Sequence, residues 1–331
     1  MSESSAHRRV TTSSDFGGIE LAVIDAGPSD GPVVVLAHGF PESSHSWRHQ
    51  IEPLAAAGYR VLVPDQRGYG FSSAPRDVAA YRSDHLGNDL LALLDDVEAE
   101  DALFVGHDWG ALLTWDLARD HPERVRGLVN VSVPYTPWPI APTELLGQTY
   151  GDRFFYILYF QTVGPPEAEF EADVRESMRR WIWVGSAEGY RDPPAIDAIV
   201  PAAGNGFFDA VLAHGALAEG IPPWLEPADL DRYTEQYEAS GFFGPISWYR
   251  NLDANWERTK DLAAPAMPTA FIGGDRDMVI AHRMDYVDSM QVSLPNYRGA
   301  TIIPGAGHWT QQEKPAEFNA ALLDALVAVT P

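Results

Sequence analysis

The chain has 331 residues, 45% hydrophobic and 21% charged, enough to bury a substantial core in one large domain or two modest ones. Cysteine is absent, which excludes disulfides, thiolate catalysis and cysteine-bound zinc and suits a reducing, cytoplasmic setting. Against 23 lysines and arginines stand 47 aspartates and glutamates, a net −24 that repels phosphate backbones and argues against a nucleic-acid partner.

The first eight residues are polar and lack the apolar run of a signal peptide. Val10–Thr12 and Ile19–Ile24 flank a Ser-Asp-Phe-Gly-Gly turn and read as a β-hairpin. Val33–Ala37 is a short apolar run ending at His38-Gly39, a buried-strand signal. Trp47–Ala57 reads as a helix and Tyr59–Pro64 as a strand, leading into Asp65-Gln66-Arg67-Gly68-Tyr69-Gly70. Asp84–Val97 places Leu86, Leu90, Leu93, Leu94 and Val97 at helical spacing. A strand at Ala102–Gly106, a helix at Trp109–Arg119 and a strand at Val125–Val133 follow. This alternation implies an α/β fold, a mostly parallel sheet flanked by helices.

The rhythm then breaks. Tyr135–Thr143 holds Pro137, Pro139 and Pro142 and reads as a linker. Residues 144–264 are aromatic-rich, helical in pattern and without strand signals. Strands return at Pro268–Gly273 and Thr301–Ile303, and a helix at Pro315–Val329. Late strands need a sheet to join, which favours one core with an insertion over two sequential domains. The expected division is a core of residues 1–138 and 265–331 with a helical cap, 139–264. The longest apolar runs, Val33–Ala37 and Ala320–Val329 (broken by Asp324), are too short or too interrupted to cross a bilayer, so no membrane partner is expected.

Gly106-His107-Asp108-Trp109-Gly110 joins a strand to a helix with the pattern small-x-nucleophile-x-small. So tight a turn needs small flanks. It lifts the central side chain above the sheet edge and turns the next N–H toward the reacting centre. Here the central residue is Asp108. A carboxylate suits displacement at tetrahedral carbon, and the ester it forms has a carbonyl that water can cleave. Aspartate is also a common helix N-cap, so the assignment leans on its partners. Hydrolases of this fold order the triad nucleophile, acid, histidine. His308, after Gly305-Ala306-Gly307, stands where the histidine belongs. The acid should follow the preceding strand, where Asp277 fits a Gly-x-x-Asp spacing and Asp275 is the alternative. His38-Gly39-Phe40-Pro41 follows the strand Val33–Ala37, and the Phe40 and Trp109 N–H groups can form an oxyanion hole. The proline after Phe40 suggests a cis bond.

With these motifs in place, the chain resembles the soluble, bacterial-type epoxide hydrolases of the α/β-hydrolase superfamily, from about residue 10 to 328. The resemblance rests on His38-Gly39-Phe40-Pro41, Asp65-Gln66-Arg67-Gly68-Tyr69-Gly70, Gly106-His107-Asp108-Trp109-Gly110 and Gly307-His308-Trp309. It implies an α/β-hydrolase fold with an inserted helical cap, and two cap tyrosines that hold the epoxide oxygen. Tyr156 in Phe155–Gln161 and Tyr249 in Gly244–Asn251 take those positions. Ring opening develops an alkoxide, and a phenol with pKa about 10 can donate to it at neutral pH.

On this reading Asp108 is the nucleophile, His308 and Asp277 activate water, and Tyr156 and Tyr249 assist ring opening. His38, Phe40, Pro41, Trp109, Phe155 and Trp248 line the substrate pocket. The expected partners are a small apolar or aryl epoxide and water, with a homodimer as one arrangement of the chain. The mechanism calls for no metal and no cofactor. Two other readings use the same scaffold. A haloalkane or haloacid dehalogenase shares the aspartate nucleophile, but Phe40 occupies a place where many dehalogenases carry a halide-binding asparagine. A non-catalytic small-molecule binder has no need of a complete Asp108, Asp277 and His308 set.

Overall fold

The computed structural model describes residues 7–13, 17–190, 201–213, 220–281 and 283–330, with side chains at 211–213 outside that description. In chain order the strands are β1 (Arg8–Thr11), β2 (Glu20–Ala26), β3 (Val33–Ala37), β4 (Arg60–Pro64), β5 (Ala102–His107), β6 (Val125–Val131), β7 (Thr269–Gly274) and β8 (Tyr297–Ile303). The helices of the first part are α1 (Arg48–Ala56), α2 (Ser83–Asp96) and α3 (Trp109–Asp120). Between β6 and β7 lie α4 (Pro142–Tyr150), α5 (Tyr156–Tyr159), α6 (Pro165–Glu171), α7 (Val174–Gly185), α8 (Phe207–Ala213), α9 (Pro227–Ser240), α10 (Phe243–Arg250) and α11 (Leu252–Thr259). The chain finishes with α12 (Met284–Ser293), α13 (Thr310–Glu313) and α14 (Pro315–Val329).

Among the described residues the strands form one sheet in the order β1-β2-β4-β3-β5-β6-β7-β8. The pairs β1–β2 and β2–β4 are antiparallel, and every pairing from β4 through β3 to β8 is parallel. Parallel strands covered on both faces read as continuous apolar runs, and every residue of β3, β5 and β7 is buried. The pleat still sorts them. Val34, Leu36, Val61 and Val63 face Leu54 of α1 and Phe318, Leu322 and Leu326 of α14. Val35, Ala37, Leu62 and Phe104 face the layer holding α2 and α3, which continues into the inserted helices. Burying one such leucine contributes about 1.5–3 kcal/mol.

The strands after residue 264 join the sheet that begins at residue 8, with β6 paired to β7 through Leu128–Thr269 and Val131–Ile272. The polypeptide between them is therefore an insertion, and its regular described elements are helices. Most boundaries shift by one or two residues, and three differences from the sequence reading have a physical reason. Strand β8 begins at Tyr297, not Thr301, because its first half is an exposed edge that no hydrophobic pattern marks. Helix α4 takes in the last two residues of the proline-rich stretch, since Pro142 sits in a first turn, where a missing N–H costs nothing. Helix α12 had no counterpart in the sequence reading; it buries only Val287 and Met290. Among the described residues no helix is long and apolar enough to cross a membrane.

Candidate active site

Asp108 sits between the end of β5 and the start of α3 with φ 52° and ψ −115°, a positive φ that a side chain adopts only under constraint. Its flanks show the constraint. A Cβ on Gly106 would lie 2.4 Å from the Gly110 carbonyl oxygen, and one on Gly110 would lie 2.1 Å from that of Ala37. Only hydrogen fits at either position. The β3 loop closes on the same carboxylate. The Phe40 N–H donates to Asp108 Oδ1 at 2.8 Å. A Cβ on Gly39 would come within 2.4 Å of Asp108 Cβ, so this approach requires bare backbone.

His308, after β8, reaches the carboxylate from the other side. Its Nε2 is 3.5 Å from Asp108 Oδ2, and its Nδ1 is 2.9 Å from Asp277 Oδ1. Asp277 Oδ1 also accepts the Val279 N–H at 2.8 Å. Burial works against the charged form of both groups, yet each is held ionised. The Asp277 carboxyl lies below its ordinary range because of the His308 charge and hydrogen bonds. The His308 ring lies well above its ordinary value because of Asp277 and then Asp108. Asp275 takes no part in this line. Its Oδ1 accepts the Gly305 N–H at 2.7 Å at an exposed turn.

Several pocket residues of the sequence reading are held by backbone. The Phe40–Pro41 bond is cis. His38 is fully buried, with Nδ1 3.0 Å from the Gly39 carbonyl and Nε2 accepting the Gln66 N–H at 3.1 Å. Burial lowers its pKa, which fits a neutral ring. The Trp248 indole donates to the Arg67 carbonyl at 3.3 Å and packs against Tyr69 and Trp109. Phe155 stacks on Tyr150 of α4, with ring centroids 3.9 Å apart, in a small cluster of its own.

Tyr156 and Tyr249 lie together, with ring centroids 5.8 Å apart. The Tyr249 ring sits 5.4 Å from that of Phe40 and 4.8 Å from that of Trp109, over the loop and elbow that hold Asp108. Burial raises the Tyr249 pKa well above the ordinary phenol value, and the charges at Tyr156 and Asp108 add to the rise. Tyr249 is therefore a protonated phenol. Phe160 and Trp181 complete an apolar wall around Tyr156, at 5.6 and 5.7 Å between rings. Beside Trp109 and Trp248 a cavity of about 110 Å³ is also lined by Leu112, Tyr135, Trp138 and Trp256; Asp108 and the two tyrosines are not among its lining residues.

Three buried groups were not singled out from sequence. Glu42, next after Pro41, accepts the Gly39 N–H at 2.9 Å and meets His107 Nδ1 at 2.5 Å. Burial opposes its charge, but His107 and the hydrogen bonds hold its carboxyl at about 2. His107 Nε2 in turn lies 2.8 Å from the His308 carbonyl oxygen. Glu313 accepts backbone N–H groups on both sides of His308, while burial pushes its carboxyl up to about 7. The partners named here are 3 to 201 residues distant, and only the position of His107 inside the elbow motif carried any local signal. Among the described residues no group of three or more histidine or acidic side chains is arranged to hold a metal.

Residues 32–160 match the family model described as the alpha/beta hydrolase fold. The chain is 44% identical over 318 residues to epoxide hydrolase A of Mycobacterium tuberculosis, covering 95% of this chain and 96% of that protein. It is 38% identical over 342 residues to epoxide hydrolase B of the same organism, covering 94% and 96%. Among solved structures, epoxide hydrolase A from Mycobacterium thermoresistibile superposes with a TM-score of 0.87 at 42% identity, covering 97% of this chain and 98% of that one. An epoxide hydrolase from an endophytic Streptomyces gives 0.86 at 36% identity, covering 98% and 96%.

Proposed function

Because the chain belongs to the epoxide hydrolase family of the α/β-hydrolase fold, we propose that it hydrolyses epoxides to vicinal diols through an ester on Asp108. The observation that carries this reading is the carboxylate of Asp108, tethered by the Phe40 N–H at 2.8 Å, while Tyr249, paired with Tyr156, packs on the rings of its neighbours Phe40 and Trp109. Residues 139–264 act as the lid that brings the phenols to the core.

The reaction runs in two steps. Asp108 attacks a ring carbon from the side opposite the breaking C–O bond. The opened oxygen takes a proton from a phenol of Tyr156 or Tyr249. The raised pKa of Tyr249 keeps that proton in place until an alkoxide develops. The phenol regains a proton from the His308 imidazolium through solvent.

Esterification also erases the Asp108 charge, one of the two charges holding the proton on His308. The ring then becomes a competent base, oriented by Asp277. It takes a proton from water, and hydroxide adds to the ester carbonyl of Asp108. The N–H groups of Phe40 and Trp109 receive the developing oxyanion. Collapse releases the diol with the second proton of water and leaves Asp108 ionised and His308 protonated, as at the start. The aromatic wall of Phe160, Trp181 and Phe207 suits a small apolar or aryl substituent on the epoxide.

The test is a single turnover of styrene oxide in water labelled with heavy oxygen. One labelled oxygen should appear in Asp108, with the first diol unlabelled. Label entering the diol directly overturns the ester intermediate. Halide release from chloroalkanes without any diol from epoxides overturns the substrate assignment.

A further inference from the structure

The loop that carries His308 is gripped from two sides. On the sheet side, the His308 carbonyl meets His107 Nε2 at 2.8 Å and Ser132 Oγ at 3.2 Å. On the other side the grip comes from the inserted helices. The His308 N–H donates to the Gly185 carbonyl at the end of α7 at 2.7 Å, and the Trp309 indole donates to the Ile182 carbonyl at 2.7 Å. The approach is close enough to require glycine from both partners. A Cβ on Gly307 would lie 2.4 Å from the Ala187 nitrogen, and one on Gly185 would lie 2.7 Å from the Trp309 ring.

One buried carboxylate holds the seam together. Glu313 Oε2 accepts the N–H of Gly307 at 2.8 Å and that of Ala187 at 3.0 Å. Its Oε1 accepts the N–H of Trp309 at 3.1 Å. Gly307 and Trp309 flank His308 in sequence, and Ala187 follows α7. A single side chain thus fixes the backbone before and after the histidine and ties both to the insertion. Burial pushes this carboxyl up to about 7, and the three bonds strengthen as it ionises, since bonds to an ionised acceptor are roughly twice as strong as neutral ones. An amide in this place would present an NH₂ to N–H donors and could satisfy only one side.

We propose that Glu313 is a positioning residue for His308, joining α7 to the histidine loop and setting the rate of ester hydrolysis rather than of ester formation. The inference rests on the reading that Asp108 forms an ester. The physical reason for the step selectivity is geometric. Attack by Asp108 uses a carboxylate fixed by the elbow and the Phe40 N–H, neither of which touches Glu313. A proton returned to the phenol through solvent tolerates a displaced ring. Taking a proton from a water aimed at the Asp108 carbonyl does not, since small misplacements of a catalytic group cost up to about a hundred-fold.

The experiment follows both steps in single turnovers of styrene oxide by rapid quench and intact-protein mass. His308→Gln is the control. If it gives no mass increase, the ester reading itself fails, independently of Glu313. If it does, Glu313→Gln should form the alkyl-enzyme within about two-fold of the wild-type rate and release it roughly ten- to hundred-fold more slowly. Amide exchange at 304–310 and at 183–190 should quicken together. Glu313→Asp keeps the carboxyl group and should recover part of the lost release rate; it also decides the matter if the glutamine variant does not fold. Unchanged release, or equal slowing of both steps, overturns the proposal.

Discussion

Nε2 of His308 stands 3.5 Å from Oδ2 of Asp108, so the two side chains face each other as an ion pair while Nδ1 is anchored on Asp277. The pairing makes the imidazolium the resting form and gives the site a definite response to pH.

The His308 pKa is raised above 6.5 in the folded protein. Its contribution to stability is therefore complete below pH 6.5 and is lost as pH rises through the folded value. The Asp277 pKa is lowered from 3.8, so its contribution is present above pH 3.8 and is lost as pH falls through its folded value. Thermal melts of wild type and His308→Gln should accordingly differ most near about pH 5 and converge in alkaline buffer. A gap that stays constant across this range would contradict the ion pair.

His308→Gln should also trap the alkyl-enzyme. The expected signal is a mass increase equal to one epoxide, stable for many turnover times, with kcat reduced roughly 10³-fold or more. Asp108→Ala should show no mass increase and no diol. Diol production by the alanine variant would remove the nucleophile from this scheme.

The two tyrosines should act on ring opening. Tyr249→Phe and Tyr156→Phe are each expected to slow formation of the alkyl-enzyme by roughly ten- to a thousand-fold, with its decay unchanged. The double variant should be slower than either single one. Pre-steady-state quench separates the phases, and slowed decay with normal formation would assign the phenols elsewhere.

Gly39→Ala tests the fit of the loop against Asp108. Its Cβ would sit 2.5 Å from Asp108 Oδ1, so the carboxylate or the Phe40 N–H must move. Activity should drop by about a hundred-fold. The far-ultraviolet circular dichroism spectrum should stay unchanged. Full activity would show that the tether at 2.8 Å is dispensable.

Much of this site can be read along the chain, because its determinants are local. The glycine-flanked turn at Asp108 shows in the motif itself, although the contact that forbids a side chain at Gly110 comes from the Ala37 carbonyl of β3; apolar runs such as Val33–Ala37 and Ala102–Gly106 announce strands buried on both faces. Order along the chain then places the histidine and its acid after the last two strands. Spacing alone left Asp275 beside Asp277, since both follow the same glycines; in the structure Asp277 meets His308 and Asp275 caps the Gly305 turn.

Composition, the strand–helix rhythm and the tight turn at residue 108 were decided by the sequence itself, since each depends on neighbours a few positions away. The burial of Glu42 against His107 and Gln311, and the clasp of Glu313 on Ala187, came only with the tertiary structure. Those pairs are separated by 65, 269 and 126 residues. A carboxylate's partners at such distances are set by which surfaces the sheet and the inserted helices press together, and no local pattern encodes them.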